Sequence, residues 1–253
     1  MKKISNWIKK EFNETRDLLR KMPGMLIALF ILSLVLMNIL ANKSIDLGKA
    51  GEWLALDAGI LMSGFIFIVL DTIVRHFGPK SATRMTVVAI LANLFVSGVF
   101  LLASVIPGFW GESFIEVGGE IANTALDNTI AGTWYVLLGS TIAFLISSII
   151  NNFTNWGLSK FVKEKDKYSF KAYAFRSYIS TFIGQFFDNL IFALLVSVHF
   201  FGWSYLQAFM CALTGAVIEL LMQLVISPIG YKLSEKWRAK GLGIYGGGQN
   251  HRQ

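Results

Sequence analysis

Asp71, Asp188 and Glu219 stand inside stretches that are otherwise apolar. A carboxylate carried into hydrocarbon costs roughly 2.5–3.5 kcal/mol on insertion scales. A chain keeps such a group only where it faces a bundle interior, a partner charge or a polar ligand. Beside amides, a membrane acid is suited to two kinds of chemistry: gripping the hydrogen-bond donors of a ligand, or carrying an ion. The spacing of the neighbours favours such a site. Ser177, Thr181, Gln185, Asp188 and Phe192 follow one another at steps of three or four and share one helical face. Gly215, Glu219 and Gln223 share another, and Asn38 and Asn42 lie in the outer half of an earlier span. Most of the Ser and Asn, including Ser147, Ser148, Asn151, Asn152 and Asn155, are expected to hold helices together at about 0.6 kcal/mol each. For the two mid-span acids, Asp188 and Glu219, a ligand site or ion path is the favoured reading over packing.

Asp71 reads differently. Arg75 follows it by four residues, and His76, Gly78 and Arg84 follow across a short turn. An Asp71–Arg75 or Asp71–Arg84 pair at the inner membrane boundary is expected to neutralise the acid and fix a hairpin of two spans. A gating role in transport is the alternative.

The elements that position these residues follow from composition. Hydrophobic residues make up 54% of the 253, charged residues only 15%, and mean hydropathy is +0.56, whereas a soluble domain carries about 25% charge. The fold class is therefore an all-α polytopic membrane protein. Six spans have the length to cross about 30 Å of hydrocarbon: Gly24–Asn42, Trp53–Val74, Met85–Ile106, Gly132–Asn155, Ser177–Phe201 and Tyr205–Gly230. No β-barrel alternation is visible. The first span is preceded by 23 residues and followed by no clear cleavage site, so it is expected to be retained.

Assigning the connections alternately puts 21 of the 23 Lys and Arg on one side, with only Lys43 and Lys49 on the other. The positive-inside rule then places both termini in the cytoplasm, as an even number of spans requires. Topology thus accounts for the net charge of +7 without nucleic acid. Residues 1–23 form an expected interfacial helix, with Ile4, Trp7, Ile8, Phe12, Thr15, Leu19 and Met22 on one face and Lys and Glu opposite. Residues 24–230 form the membrane domain, and residues 231–253 a cytoplasmic tail expected to be disordered from Gly241. The longest outer connection, Pro107–Ala131, is acidic, with Glu112, Glu116, Glu120 and Asp127. It reads as a solvated loop, a lid over an external site being the alternative. The single Cys211 forms no internal disulfide, and no Cys/His cluster has metal-ligand spacing. Neither metal nor cofactor is expected. Nor is an enzyme, since the chain lacks a Gly-x-Ser-x-Gly elbow, a His-Glu-x-x-His motif and a phosphate-binding Gly-rich loop.

Two segments resemble the signatures of the queuosine-precursor transporter family, also described as vitamin uptake transporters. They are Asp71-Thr-Ile-Val-Arg75-His-Phe-Gly78-Pro-Lys-Ser-Ala82-Thr-Arg84 and Ser180-Thr-Phe-Ile-Gly184-Gln185-Phe-Phe-Asp188-Asn-Leu-Ile-Phe192. Asn38-Ile-Leu-Ala-Asn-Lys43 and Ser227-Pro228-Ile-Gly-Tyr231 also look like family positions. Such proteins are similar to the substrate-binding components of energy-coupling-factor uptake systems. The resemblance implies a multi-pass protein of the bacterial plasma membrane and a 7-deazaguanine cargo, a precursor of queuosine taken up for tRNA modification. It implies an energising transport module as partner, although the first span has no Ala-x-x-x-Ala patch on which such modules dock. Substrate contacts are then expected from Asp188, Gln185, Asn38, Glu219, Phe192 and Ser180, with Asp71, Arg75 and Arg84 as structural or gating residues. A deazaguanine offers a ring N–H and an exocyclic amine on one edge, which a carboxylate matches with two charge-assisted bonds, and a carbonyl that an amide serves. Phe192 or Trp134 would stack on the ring. A proton- or cation-coupled carrier of another small polar metabolite, with Asp188 and Glu219 as relay, is the alternative, and a non-transporting scaffold a further one.

Overall fold

The structure, a computed structural model, describes residues 2–41, 43, 45, 48–49, 56, 58–110, 119–130 and 134–243. Asn42, Glu112, Glu116, the Trp134 side chain and the tail beyond 243 lie outside the described residues. The described chain is helical: α1 (Lys2–Lys21), α2 (Gly24–Leu40), α3 (Ile60–Phe77), α4 (Pro79–Val105), α5 (Gly119–Ile130), α6 (Trp134–Leu158), α7 (Phe170–Phe192), α8 (Val198–Phe201) and α9 (Tyr205–Ala239). A π-helical turn, Ala193–Ser197, joins α7 to α8. By length and composition α3, α4, α6, α9 and the α7–α8 rod are able to cross a membrane. Helices α1 and α2, bent by 112° at their break, add a sixth candidate when the pair is counted as one span.

Helix α3 is the centre of the bundle, with every residue from Ile66 to His76 buried. Phe30 and Leu34 of α2, Met85 and Ala89 of α4, Phe144 of α6 and Trp237 of α9 close around it. The outer faces carry Phe95, Leu102, Val225 and Ile229, each at least 65% exposed, as helices solvated by lipid tails should. The ends follow local rules. Ser169 and Ser204 cap α7 and α9 by accepting from the backbone N–H of Ala172 and Gln207, both at 3.1 Å. Gly78, at φ +83°, makes the turn into α4 that Pro79 then starts. Pro228 lies inside α9 and cannot bond the Leu224 carbonyl, which accepts from Ser227 Oγ at 3.1 Å instead.

Three expectations need correction. Helix α7 begins at Phe170, so Arg176 is a membrane-helix residue rather than part of a basic loop. Helix α9 runs unbroken to Ala239, so the boundary drawn at residue 230 falls inside it. The outer connection is not a plain loop, since it carries α5. That helix is tied down by Trp110, whose indole nitrogen donates to Asp127 Oδ1 at 2.8 Å and whose backbone N–H donates to Asn123 Oδ1 at 2.9 Å.

Both ends of the described chain meet at one end of the bundle. Arg84, at the start of α4, pairs with Glu11 at 2.9 Å and with Glu14. His76, at the end of α3, bonds the Leu242 carbonyl at 3.0 Å and the Ser234 hydroxyl at 2.9 Å. Leu18 and Met22 of α1 join the core, while Ile4, Trp7, Ile8 and Phe12 face away from it.

Candidate functional site

A cavity opens between α2, α3, α6, α7 and α9, with about 670 Å³ of empty space counting its mouth. Its walls come from the halves of these helices remote from the chain ends: Met37, Asn38 and Ala41; Gly59, Ile60 and Ser63; Ser140 and Ala143; Asp188, Asn189 and Phe192; Gly215 and Glu219; with Leu56 from the connection before α3. Two carboxylates thus enter one small space from two helices. Ser147 Oγ donates to Asp188 Oδ1 at 2.7 Å, and Asn189 Nδ2 donates to Glu219 Oε2 at 3.2 Å. Opposite them, Ser140 Oγ donates to Asn38 Oδ1 at 2.5 Å, which orients the Asn38 amide. Phe192 supplies an aromatic wall just before the π-helical turn; such single turns are frequent at functional sites. The arrangement offers acceptors to a ligand's donor edge, an amide and an aromatic face.

Of the six residues expected to contact substrate, Asn38, Asp188, Phe192 and Glu219 line this cavity. Gln185 lies one helical turn deeper, 1% exposed, and its Nε2 has no hydrogen-bond partner among the described residues. Ser180 is elsewhere, in a second polar centre around Asp71. Asn189 was not singled out from sequence. Its signal lay in Gly215, whose missing side chain makes room for the Asn189 amide beside Glu219.

The second centre corrects the expected ion pair. Asp71, 1% exposed, is held by neutral donors: Ser177 Oγ to Oδ2 at 2.5 Å, Asn155 Nδ2 to Oδ1 at 2.9 Å, Asn151 Nδ2 to Oδ1 at 3.3 Å and Ser180 Oγ to Oδ1 at 3.4 Å. Gln223 Nε2 in turn donates to Ser177 Oγ at 2.7 Å. The balancing charge is Arg176, whose Nη2 donates to Asn155 Oδ1 at 2.7 Å, so one amide bridges cation and anion. Arg75 reaches Glu235 of α9 at 3.7 Å and the Lys167 carbonyl at 3.3 Å, with Tyr173 beneath its guanidinium, and Arg84 serves α1. The reason is position along α3. Asp71 faces α6 and α7, whereas Arg75 stands at the bundle end, where the carboxylates of less apolar segments come within reach.

Among the described residues no group of His, Cys, Asp and Glu is placed to hold a metal ion. No curated protein and no solved structure matches the chain. One family does, over residues 57–233, the stretch that carries Asp71, Asp188, Glu219 and all but the α2 wall and Leu56 of the cavity, and the chain belongs to that family, described as "Putative vitamin uptake transporter".

Proposed function

We propose that the protein is a carrier that imports a 7-deazaguanine-type precursor of queuosine, used for tRNA modification, and binds it in the cavity between Asn38, Asp188, Phe192 and Glu219. The observation that carries this reading is the pair of carboxylates converging on one cavity whose walls mix polar and apolar side chains. Two membrane acids that line one cavity mark a ligand or ion site by default, and a deazaguanine supplies donors for them to accept. Its ring N–H and exocyclic amine meet the Asp188 carboxylate, its carbonyl takes an amide N–H from Asn38, and its ring lies on Phe192. An aminomethyl substituent places an ammonium at Glu219. The positive-inside rule supports a cytoplasmic placement of the end that carries α1 and the α3–α4 turn, and with it a cavity open to the cell exterior, as uptake requires.

Calorimetric titration of the purified protein with 7-aminomethyl-7-deazaguanine, guanine and a panel of vitamins tests the reading. Wild type binds the deazaguanine. Asp188→Asn keeps the shape and removes a charge whose hydrogen bonds are worth about 1.5–3 kcal/mol, so its affinity falls by roughly one to two orders of magnitude while its melting temperature holds. Unchanged affinity removes Asp188 from the site. Binding of a vitamin in place of the deazaguanine replaces the cargo.

A further inference from the structure

Asp71 lies outside the cargo cavity, yet it is the most completely enclosed carboxylate described, and its surroundings are built for two protonation states. In the ionised state it accepts from Ser177, Ser180, Asn151 and Asn155. Asn155 is locked in that orientation, because its oxygen is taken by Arg176. Asn151 is not locked: its Oδ1 is fully buried and has no hydrogen-bond partner among the described residues. If a proton joins Asp71 Oδ1, the acid becomes a donor, and Asn151 answers by reversing its amide to present that oxygen. A clamp that served only to hold helices together would need no carboxylate, since neutral or apolar groups of similar size hold as well.

The same amide connects Asp71 to the cargo cavity. Ser147, which donates to Asp188, and Asn151, which donates to Asp71, stand one turn apart on α6, about 6 Å along its axis. On the facing helix, Thr181 Oγ1 and Gln185 Nε2 are buried between Asp188 and Ser177 and also lack partners among the described residues. A row of polar side chains therefore leads from the cavity acid to the inner acid through the close contact of α6 with α7 at Gly184. The ionisable groups facing Asp71 are Arg176 and Tyr173 from α7 and, on its own helix, Arg75, itself held by Glu235 of α9. Helix α6 presents amides, and α9 presents Gln223 through Ser177.

We propose that Asp71 and its amide–hydroxyl cage form a proton-binding site, separate from the cargo cavity, through which a proton gradient drives transport. It rests on the carrier reading of the cavity. A proton arriving from the cavity side converts the carboxylate to the acid. Arg176 then loses the charge it balances, so the protonated and ionised states favour different packings of α3 against α7. Release of the proton at the terminus-bearing end restores the carboxylate and the Asn155 bridge.

The test uses the full-length protein in proteoliposomes with tritiated 7-aminomethyl-7-deazaguanine, measured two ways: counterflow exchange without a gradient, and accumulation driven by an acidic exterior. Wild type is expected to do both, with accumulation abolished by an uncoupler. Asp71→Asn is expected to keep counterflow, which also reports that it is folded, and to lose accumulation entirely. Asn155→Ala removes a donor from ionised Asp71 and its link to Arg176, so the pH of half-maximal uptake should rise. Accumulation retained in Asp71→Asn, counterflow lost from a folded Asp71→Asn, or a midpoint in Asn155→Ala that stays or falls would each overturn the proposal. Wild-type counterflow without gradient-driven accumulation removes the coupling and leaves the carrier intact. Absence of wild-type counterflow removes the carrier reading for this cargo, and the coupling with it.

Discussion

Gly215 and Asn189 meet with no room for a side chain on the glycine: a Cβ built on Gly215 would lie 2.8 Å from Asn189 Nδ2. That nitrogen is the one bonded to Glu219, one turn further along α9. Gly215→Ala therefore pushes the end of a flexible side chain rather than backbone. Alanine is the better helix former by up to about 1 kcal/mol, so the melting temperature should stay level or rise. Glu219, however, loses the amide that aims it. Affinity for an aminomethyl deazaguanine should drop about tenfold, equivalent to roughly 1.4 kcal/mol, and affinity for the uncharged parent ring should change less. Paired calorimetric titrations of the two ligands check this, and equal losses for both would detach Glu219 from the ammonium.

Gly184 makes the opposite prediction. A Cβ there would stand 2.9 Å from Asn151 Cβ, 3.1 Å from Phe67 Cε1 and 3.5 Å from the Ser147 carbonyl. None of these is the free end of a flexible chain, so Gly184→Ala must separate α7 from α6. Overpacking of this kind costs about 1–3 kcal/mol. Thermal unfolding in detergent should show a clear loss of stability, and a melting temperature equal to wild type would contradict the close packing of these helices.

The acids themselves were legible in the sequence, because a carboxylate in an apolar run announces a reason to be there. Their partners were not. Arg75, four residues from Asp71, is the counter-ion that helical spacing suggests, yet Asp71 takes its donors from residues 80, 84, 106 and 109 positions away. Such pairings depend on how α6 and α7 pack against α3, which no local pattern encodes. Arg176 was hidden by its charged neighbourhood, although Ser169 before Phe170, Ala172, Tyr173 and Ala174 carries the mark of a capped helix start. Ser180 shares the Asp188 helix but lies two turns nearer the chain ends, which suffices to move it from one polar centre to the other. Helix α5 escaped notice because its Ala and Leu positions are set among Asn, Thr and Asp, and a polar helix lacks the periodicity that reveals an apolar one.

Topology gives a third prediction. The end that carries α1, the α3–α4 turn and the connection before α7 is expected in the cytoplasm, from its 21 of 23 basic residues. In a Cys211→Ala background, Lys165→Cys should resist a membrane-impermeant thiol reagent in intact cells and react after permeabilisation. Asn128 is exposed on α5, in the outer connection, so Asn128→Cys should react from outside without permeabilisation. The reverse pattern would invert the protein and turn the cavity toward the cytoplasm.

The last prediction concerns the join between α1 and the bundle. Arg84 holds Glu11 and Glu14 by its guanidinium while Leu18 and Met22 anchor the following turns. The Arg84 hydrogen bond keeps the Glu11 carboxyl below its ordinary value of 4.5. A depressed carboxyl stabilises the docked form above the pKa of the undocked acid, and that contribution is lost as pH falls through the lower docked value. Glu11 is half-buried at the surface, within reach of solvent, so salt screens the pair as well. The first turns of α1 should therefore loosen both on acidification below about pH 4.5 and in concentrated salt at neutral pH, while the apolar anchor at Leu18 and Met22 holds. Spin labels placed on α1 and α4, with their separation followed by electron paramagnetic resonance, report this directly. Arg84→Ala should show the loosened distances at neutral pH and low salt and should no longer respond to either treatment. Wild-type distances in that variant would mean that the apolar anchor alone fixes the helix.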